Sequence, residues 1–178
     1  MDKPYLIGLS GKIHSGKSTV AKALAERHGF VVRGFADALK QDVEGMGFER
    51  EVVRYSKPPA VRSLLQAYGQ AKRLFNEHYW IERLENAISL CKPGTVFVID
   101  DLRFPNEFEW IKSKDGVCIR IERPDYPVQS NDYSETALDN VHTFDHTVYG
   151  ACGAVDDLIE HVEDCLWFET TKHRWRED

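Results

Sequence analysis

Cysteine is scarce in this chain. Cys91, Cys118, Cys152 and Cys165 are the whole complement of 178 residues, and no two form a C-x-x-C pair. That pattern indicates neither a zinc knuckle nor a thioredoxin-like redox motif, and it suits reduced thiols in a cytoplasm. No apolar run approaches the roughly 20 residues of a membrane span, and Met1-Asp2-Lys3-Pro4 does not open a signal peptide. Positive charge is also short. Lys and Arg number 23 against 29 Asp and Glu, a formal net charge of −6, so a polymeric nucleic-acid partner is not expected. There is no internal repeat and no low-complexity tract. What remains is a chain long enough to bury a core, expected as one domain over residues 1–178.

One stretch organises it: Gly11-Lys12-Ile13-His14-Ser15-Gly16-Lys17-Ser18 satisfies G-x-x-x-x-G-K-[ST] without mismatch. The apolar run Tyr5-Leu6-Ile7-Gly8-Leu9 before it reads as a buried strand. Thr19 to His28, closed by Gly29, reads as a helix. Strand before and helix after is the context that gives this motif meaning. Glycines let backbone N–H groups wrap an anion, and the helix start aims its positive end at the same point. Lys17 reaches the outer phosphates and Ser18 offers a hydroxyl to Mg²⁺. Gly11, His14, Ser15, Gly16, Lys17, Ser18 and Thr19 are therefore the expected ATP-binding residues.

Strands and helices then alternate. Phe30–Phe35 reads as a second strand and Ala36–Val43 as a helix. Gly45–Pro59 reads as an irregular surface connection. From Ala60 the helical period returns, with Val61, Leu64, Leu65 and Tyr68 on one face. A further helix spans about His78 to Leu90. Thr95–Ile99 is a third strand ending in Asp100-Asp101, a helix runs to about Lys112, and Val117–Ile121 is a fourth strand. A polar stretch to His142 has the length of a lid, set at approximately 122–142. Phe144–Tyr149 and Asp156–Phe168 supply a last strand and helix. The alternation predicts an α/β fold of the P-loop NTPase type: three layers, a five-stranded parallel sheet flanked by helices, with a lid segment. The crossover rule brings the loop after strand one and the acids after strand three to one sheet edge. An acid there matches the Walker B position, and Asp101 is taken with Ser18 as the metal-holding pair. Asp37 is read equally as a helix cap or as a ligand-edge acid.

A GTPase would carry an N-K-x-D guanine reader, and none is present. A kinase needs a second anion site and a way to exclude water. Arg62, Arg73 and Arg103 are suited to forked contacts with an acceptor phosphate, and Arg123 leads into the lid.

Several segments carry a family resemblance. Val61-Arg62-Ser63-Leu64-Leu65-Gln66-Ala67-Tyr68-Gly69, with Trp80 beyond it, resembles the R-x-L-x-Q-x-x-G stretch of bacteriophage-type deoxynucleoside monophosphate kinases. Asp101-Leu102-Arg103, with Glu107 four residues on and Arg123-Pro124 later, resembles their D-x-R strand end. Ser130-Asn131-Asp132, with a following glutamate, resembles their lid. The resemblance implies an ATP-dependent transfer to a deoxynucleoside monophosphate, with Mg²⁺ as cofactor. It implies Asp37, Lys40, Arg62, Gln66, Gly69, Arg73, Trp80, Asp101, Arg103 and Glu107 around the acceptor, and Lys17, Arg103, Arg123 and Asp37 at the chemistry. The partners would be small molecules, with a homodimer left open. Gln70 departs from a common threonine. Tyr149-Gly150-Ala151-Cys152-Gly153 departs from the family's Asn-Asp-Gly, so no adenine contact is assigned. The runners-up are another small P-loop kinase, of the dephospho-coenzyme A or shikimate type, and a regulatory nucleotide-binding module. His142 and His146 lack a third ligand and are not read as a metal site.

Overall fold

A computed structural model describes residues 3–125 and 133–173, with side chains to residue 168. Ser130-Asn131-Asp132 of the expected lid lies outside the described residues. The chain divides into two compact units: Met1–Val32 with Pro93–Asp178, and Arg33–Lys92.

The first unit is built on the sheet. Its strands are β1 (Tyr5–Ser10), β2 (Val31–Arg33), β3 (Val96–Leu102), β4 (Val117–Glu122) and β5 (His146–Tyr149), in the order β2-β3-β1-β4-β5. Parallel pairing holds β1 to β3, β1 to β4 and β4 to β5. The burial of each strand follows its place. All six residues of central β1 are buried, whereas the outer β2 has none that is and β5 has one. Continuous apolar strands are what a sheet covered on both faces requires.

Helix α1 (Lys17–His28) and the closing helix α7 (Val155–His173) cover one face. Val20, Ala21 and Leu24 from α1, and Leu158, Ile159 and Val162 from α7, share a core with Ile7, Leu9, Val98, Ile119 and Ile121. Helix α5 (Pro105–Ser113) covers the other, where Ile111 closes on Gly8 so tightly that a Cβ there would lie 2.7 Å from it. The three-layer α/β arrangement expected from the alternation is what forms. A four-residue turn of helix, α6 (Tyr133–Thr136), lies between β4 and β5.

The second unit is helical: α2 (Ala36–Gly45), α3 (Pro59–Phe75) and α4 (Tyr79–Ser89) pack pairwise. Asp42 of α2 accepts from Tyr68 Oη of α3 at 3.3 Å and from Arg83 Nη2 of α4 at 3.1 Å. The buried indole of Trp80 donates to Gly69 O at 3.1 Å, fixing α3 on α4. One expectation changes here. The connection Gly45–Pro59 is not merely a surface loop. Val52–Ser56 forms a π-helical turn that buries Val53 completely and turns Arg54 onto Glu44. An alternation too short to register as a period hid it. Strand two is likewise shorter than expected, because Gly34 already turns the chain into α2 and its N–H bonds Asp37. No helix among the described residues is long and apolar enough to cross a membrane.

Candidate active site

The phosphate loop is built from backbone that only particular residues tolerate. Gly11 has φ 147°, and a Cβ there would lie 2.3 Å from Ile121 O; Gly16 caps α1 at φ 103°. Both values lie where side chains are rarely accommodated. His14 takes a left-handed conformation at φ 63° at the loop tip. No side chain caps α1. The first N–H groups of a helix have no partner within it, so this end is disposed toward an anion.

Lys17 is folded back into the loop. Its Nζ donates to Gly11 O at 2.6 Å, to Lys12 O at 2.7 Å and to Ser15 Oγ at 3.3 Å. The ammonium is 7% exposed as part of its residue. Burial first, then the Arg103 guanidinium, lower its pKa to about 8, against the opposing pull of Glu135 and Asp100. This is a cation kept short of anions in a dry place, which a polyphosphate would relieve.

Ser18 Oγ donates to Asp100 Oδ2 at 2.8 Å. This changes the expected metal pair, which named Asp101. Gly8 pairs with Ile99 and Ser10 with Leu102, so β3 carries an extra residue across Asp100-Asp101, and at this irregularity one of the two acids bonds the loop. That acid is Asp100. Asp101 instead acts electrostatically on Arg103. A hydroxyl and a carboxylate at hydrogen-bonding distance form a hard-oxygen pair of the kind Mg²⁺ accepts, with phosphates and water completing the shell.

Arg103 leaves the end of β3 half-buried, and Nη1 donates to Glu135. Burial works against its charge, but Glu135, with Asp101 and Glu107 behind it, outweighs this and holds the guanidinium above its ordinary range. Glu107 was expected to meet the acceptor. Its carboxylate is instead 2% exposed and accepts from the N–H of Arg103 at 3.0 Å and of Phe104 at 3.1 Å. It is the acid of a helix-start cap, three residues into α5, and it sets the backbone from which Arg103 projects.

A cavity of about 360 Å³ opens beside the loop, lined by His14, Gly16–Thr19, Arg123, Ala151, Ala154, Val155 and Leu158. Arg123 lines this cavity together with the loop residues, its Nε held by Asp125 at 3.3 Å. Gly150 makes room for it: a Cβ would lie 2.9 Å from Arg123 Cδ, while Gly150 N is tied to Glu122 O at 2.8 Å. Ala151, Ala154 and Val155 were not singled out from the sequence. They give the cavity a small, apolar wall beyond the phosphate end, the surface that a base would meet.

Arg120 and Asp139 were also missed. Arg120 Nη2 donates to Asp139 Oδ1 at 2.7 Å, and Lys12 reaches Asp139 Oδ2 at 3.2 Å, bracing the loop from β4. Burial raises the Asp139 carboxyl, yet the Arg120 and Lys12 bonds outweigh it and hold it below the ordinary range. The signal was available: Arg120 is the one charge inside the apolar run Val117–Ile121.

In the helical unit, Arg62, Gln66, Gly69 and Arg73 fall four, three and four residues apart along α3, on one line of the helix. Arg62 Nε donates to Lys57 O at 2.9 Å. Gly69 lets the line pass close to Leu39: a Cβ there would lie 3.3 Å from Leu39 Cδ2 and 3.5 Å from Arg73 Nη1. Asp37 accepts from Gly34 N at 2.9 Å and stands 3.6 Å from Lys40 Nζ and 3.7 Å from Arg54 Nη1. It is not the cap of α2, whose N-cap is Phe35 with no side-chain cap bond; its carboxylate instead fixes Gly34 ahead of the helix and has two cations beside it. Trp80, expected among acceptor contacts, is 2% exposed and spends its indole N–H on Gly69. It supports the α3 line from within the helical core and leaves no face for a ligand.

Profiles of known protein families match no part of the chain. Among solved structures, the shikimate kinase of Aquifex aeolicus aligns with a TM-score of 0.54 at 15% identity, covering 93% of this chain and 98% of that one. The Acinetobacter baumannii shikimate kinase, in complex with shikimate, gives 0.51 at 13%, covering 98% and 97%. At such identities the likeness speaks for the fold alone, that of the P-loop kinases. Sequence goes further. A protein of Acanthamoeba polyphaga mimivirus named "Putative deoxynucleotide monophosphate kinase" is 30% identical over 189 residues, covering 90% of this chain and 95% of its own. With a P-loop kinase fold carrying a complete phosphate loop, and a relative this similar over nearly its full length, the chain belongs to the deoxynucleotide monophosphate kinase family.

Proposed function

We propose that the protein transfers the γ-phosphoryl group of ATP to a deoxynucleoside monophosphate, giving ADP and the deoxynucleoside diphosphate. The observation that carries this is the gathering of Lys17, Ser18 and Arg123 on one cavity of about 360 Å³, with Asp100 bonded to Ser18 and Arg103 at the neighbouring strand end. The relative's name supplies the acceptor class.

ATP lies with its phosphates on the Gly11–Thr19 loop and its base along Ala151, Ala154 and Val155. Lys17 leaves its carbonyl partners for the outer phosphates, gaining the anion that its buried position lacks. Ser18 and Asp100 hold Mg²⁺, which when bound neutralises phosphate charge. The acceptor's phosphate oxygen is already anionic at neutral pH and attacks the γ-phosphorus in line; the bond to the β–γ bridging oxygen breaks and ADP departs. No general base is required. The protein contributes positioning and charge neutralisation through Lys17, Arg103 and Arg123. On the acceptor side, the α3 line of Arg62, Gln66 and Arg73, with Lys40 nearby in sequence to Asp37, offers forked donors for a monophosphate and a polar partner for a base. Mechanistic weight falls on Asp37 and Asp101 only as acids that orient cations. Two copies of the chain associating is compatible with this chemistry and not required by it.

The test is an acceptor panel. Protein with Mg-ATP and each deoxynucleoside monophosphate, each ribonucleoside monophosphate, dephospho-coenzyme A or shikimate is followed for ADP. The expected result is ADP release that depends on a deoxynucleoside monophosphate. Release driven by another acceptor reassigns the substrate. Release that no acceptor stimulates overturns the transferase.

A further inference from the structure

Glu135 has no part in the chemistry above, yet it occupies a telling position. It belongs to the short turn α6, and its side chain is only 11% exposed. One carboxylate oxygen accepts from the backbone N–H of Ile13 at 2.8 Å; the other accepts from Arg103 Nη1. Both donors belong to groups built for anions: one is an amide of the phosphate loop itself, and the other is the guanidinium at the mouth of β3. Lys17, whose Nζ would seek the outer phosphates, feels the same carboxylate.

Loops of this type cradle the inner phosphates with the amides nearest the helix and leave the outer phosphate to the lysine and the loop tip. In this chain the amides nearest the helix are those of the residues lining the cavity, Gly16 to Ser18. Ile13 stands three residues upstream, on the side where Glu135 and Arg103 meet. An outer phosphate and a carboxylate cannot share these donors, because two anions at such a distance repel and each must lose its hydrogen bonds to the other.

We propose that Glu135 is an internal stand-in for the terminal phosphate of the donor: its carboxylate holds Ile13 N–H and Arg103 until a ligand with a third phosphate displaces it. The inference rests on the reading of the loop as an ATP site. Its consequence is selectivity between nucleotides at the donor cradle. A diphosphate fills the inner amides and leaves Glu135 on Arg103, whereas a triphosphate takes both donors over and frees the guanidinium for the transferring group.

The experiment measures binding of ADP and of the β–γ imido analogue of ATP, with Mg²⁺, by calorimetry on the full chain. Wild type, Glu135→Gln and Glu135→Asp are compared after each variant is matched to wild type by circular dichroism. Removing the charge should tighten the triphosphate analogue about tenfold, the size of one lost charge-assisted contact, while ADP affinity stays within about twofold. Glu135→Asp should shift in the same direction, because the shorter arm reaches neither donor. A change shared equally by both nucleotides, a weakened triphosphate, or an Asp variant identical to wild type overturns the stand-in, the last by showing that bulk charge and not contact is at work. A wild-type protein that binds neither nucleotide overturns the ATP reading itself and this inference with it, a result distinct from the other three.

Discussion

In the proposed reaction, the phosphate loop and the α3 line meet the same problem, an anion in search of donors, by opposite means. In Gly11–Ser18 the donors are mainly backbone, held by glycine geometry, and of its two lysines Lys17 is already bonded to the loop's own carbonyls while Lys12 is paired with Asp139. Along α3 the donors are side chains on a regular helix, and the backbone contributes only the gap at Gly69. A backbone site is rigid and indifferent to what hangs from the phosphate. A side-chain site costs more entropy to order, and its choice of ligand changes with single substitutions. In the proposed reaction, donor chemistry sits on the first kind and acceptor choice on the second.

Lys17→Ala is the harshest way to break this contrast. Turnover should fall on the order of 10²–10³-fold while the circular dichroism spectrum holds, because the sheet and helices are intact even though the loop loses the three hydrogen bonds of the ammonium. A folded variant with near wild-type kcat would mean the loop is not the donor cradle. Next comes the pair of acids. Asp100→Asn should lower kcat about 100-fold at low Mg²⁺ and recover in part at high Mg²⁺, whereas Asp101→Asn should cost about tenfold with no such recovery. The reverse pattern would return the metal to Asp101. Smaller still, Arg73→Ala should raise the acceptor KM about tenfold and leave the ATP KM unchanged, the loss of one forked contact. An altered ATP KM alone would move the α3 line to the donor.

The smallest effect is a pH dependence. Lys17 titrates at about 8 in the free protein, below the ordinary 10.5. Its charge is present below that value and lost as pH rises through it, so ATP affinity should fall about fourfold between pH 7 and 8.5, with proton uptake on binding in that range. Calorimetry in buffers of different ionisation enthalpy reads both. Stability moves the other way. The unfolded chain binds more protons than the fold between about pH 8 and 10.5, so this group's penalty is full below 8 and is relieved as pH rises across that window.

How much was legible follows from the same contrast. Lys17, Ser18 and the β1–α1 frame lay in contiguous residues whose spacing is dictated by the anion, and the parallel sheet followed from the alternation. Asp100 was not separable from Asp101, because which of the two bonds the loop is decided at the irregular register with β1. Glu107 and Trp80 were legible as important but not as what they are. A buried cap and a buried indole leave the same letters in a motif as a ligand contact does. Gly69 owes its place to both Leu39 and the Trp80 bond, which no spacing reveals. Ala151, Ala154 and Val155 carry no chemistry of their own and acquire meaning only as a wall.

The close passage of Arg123 against Gly150 has an outcome for how such an enzyme diversifies. A Cβ at position 150 would press on Arg123 Cδ at 2.9 Å, and the amide of Gly150 is tied to Glu122 at the end of β4, so this position helps to set where the Arg123 arm lies. Ala151, Ala154 and Val155 line the same cavity with apolar side chains. In the proposed placement of ATP, donor-base preference can drift by exchange at 151, 154 and 155 while Arg123 keeps its place, which uncouples tuning of nucleotide choice from tuning of rate.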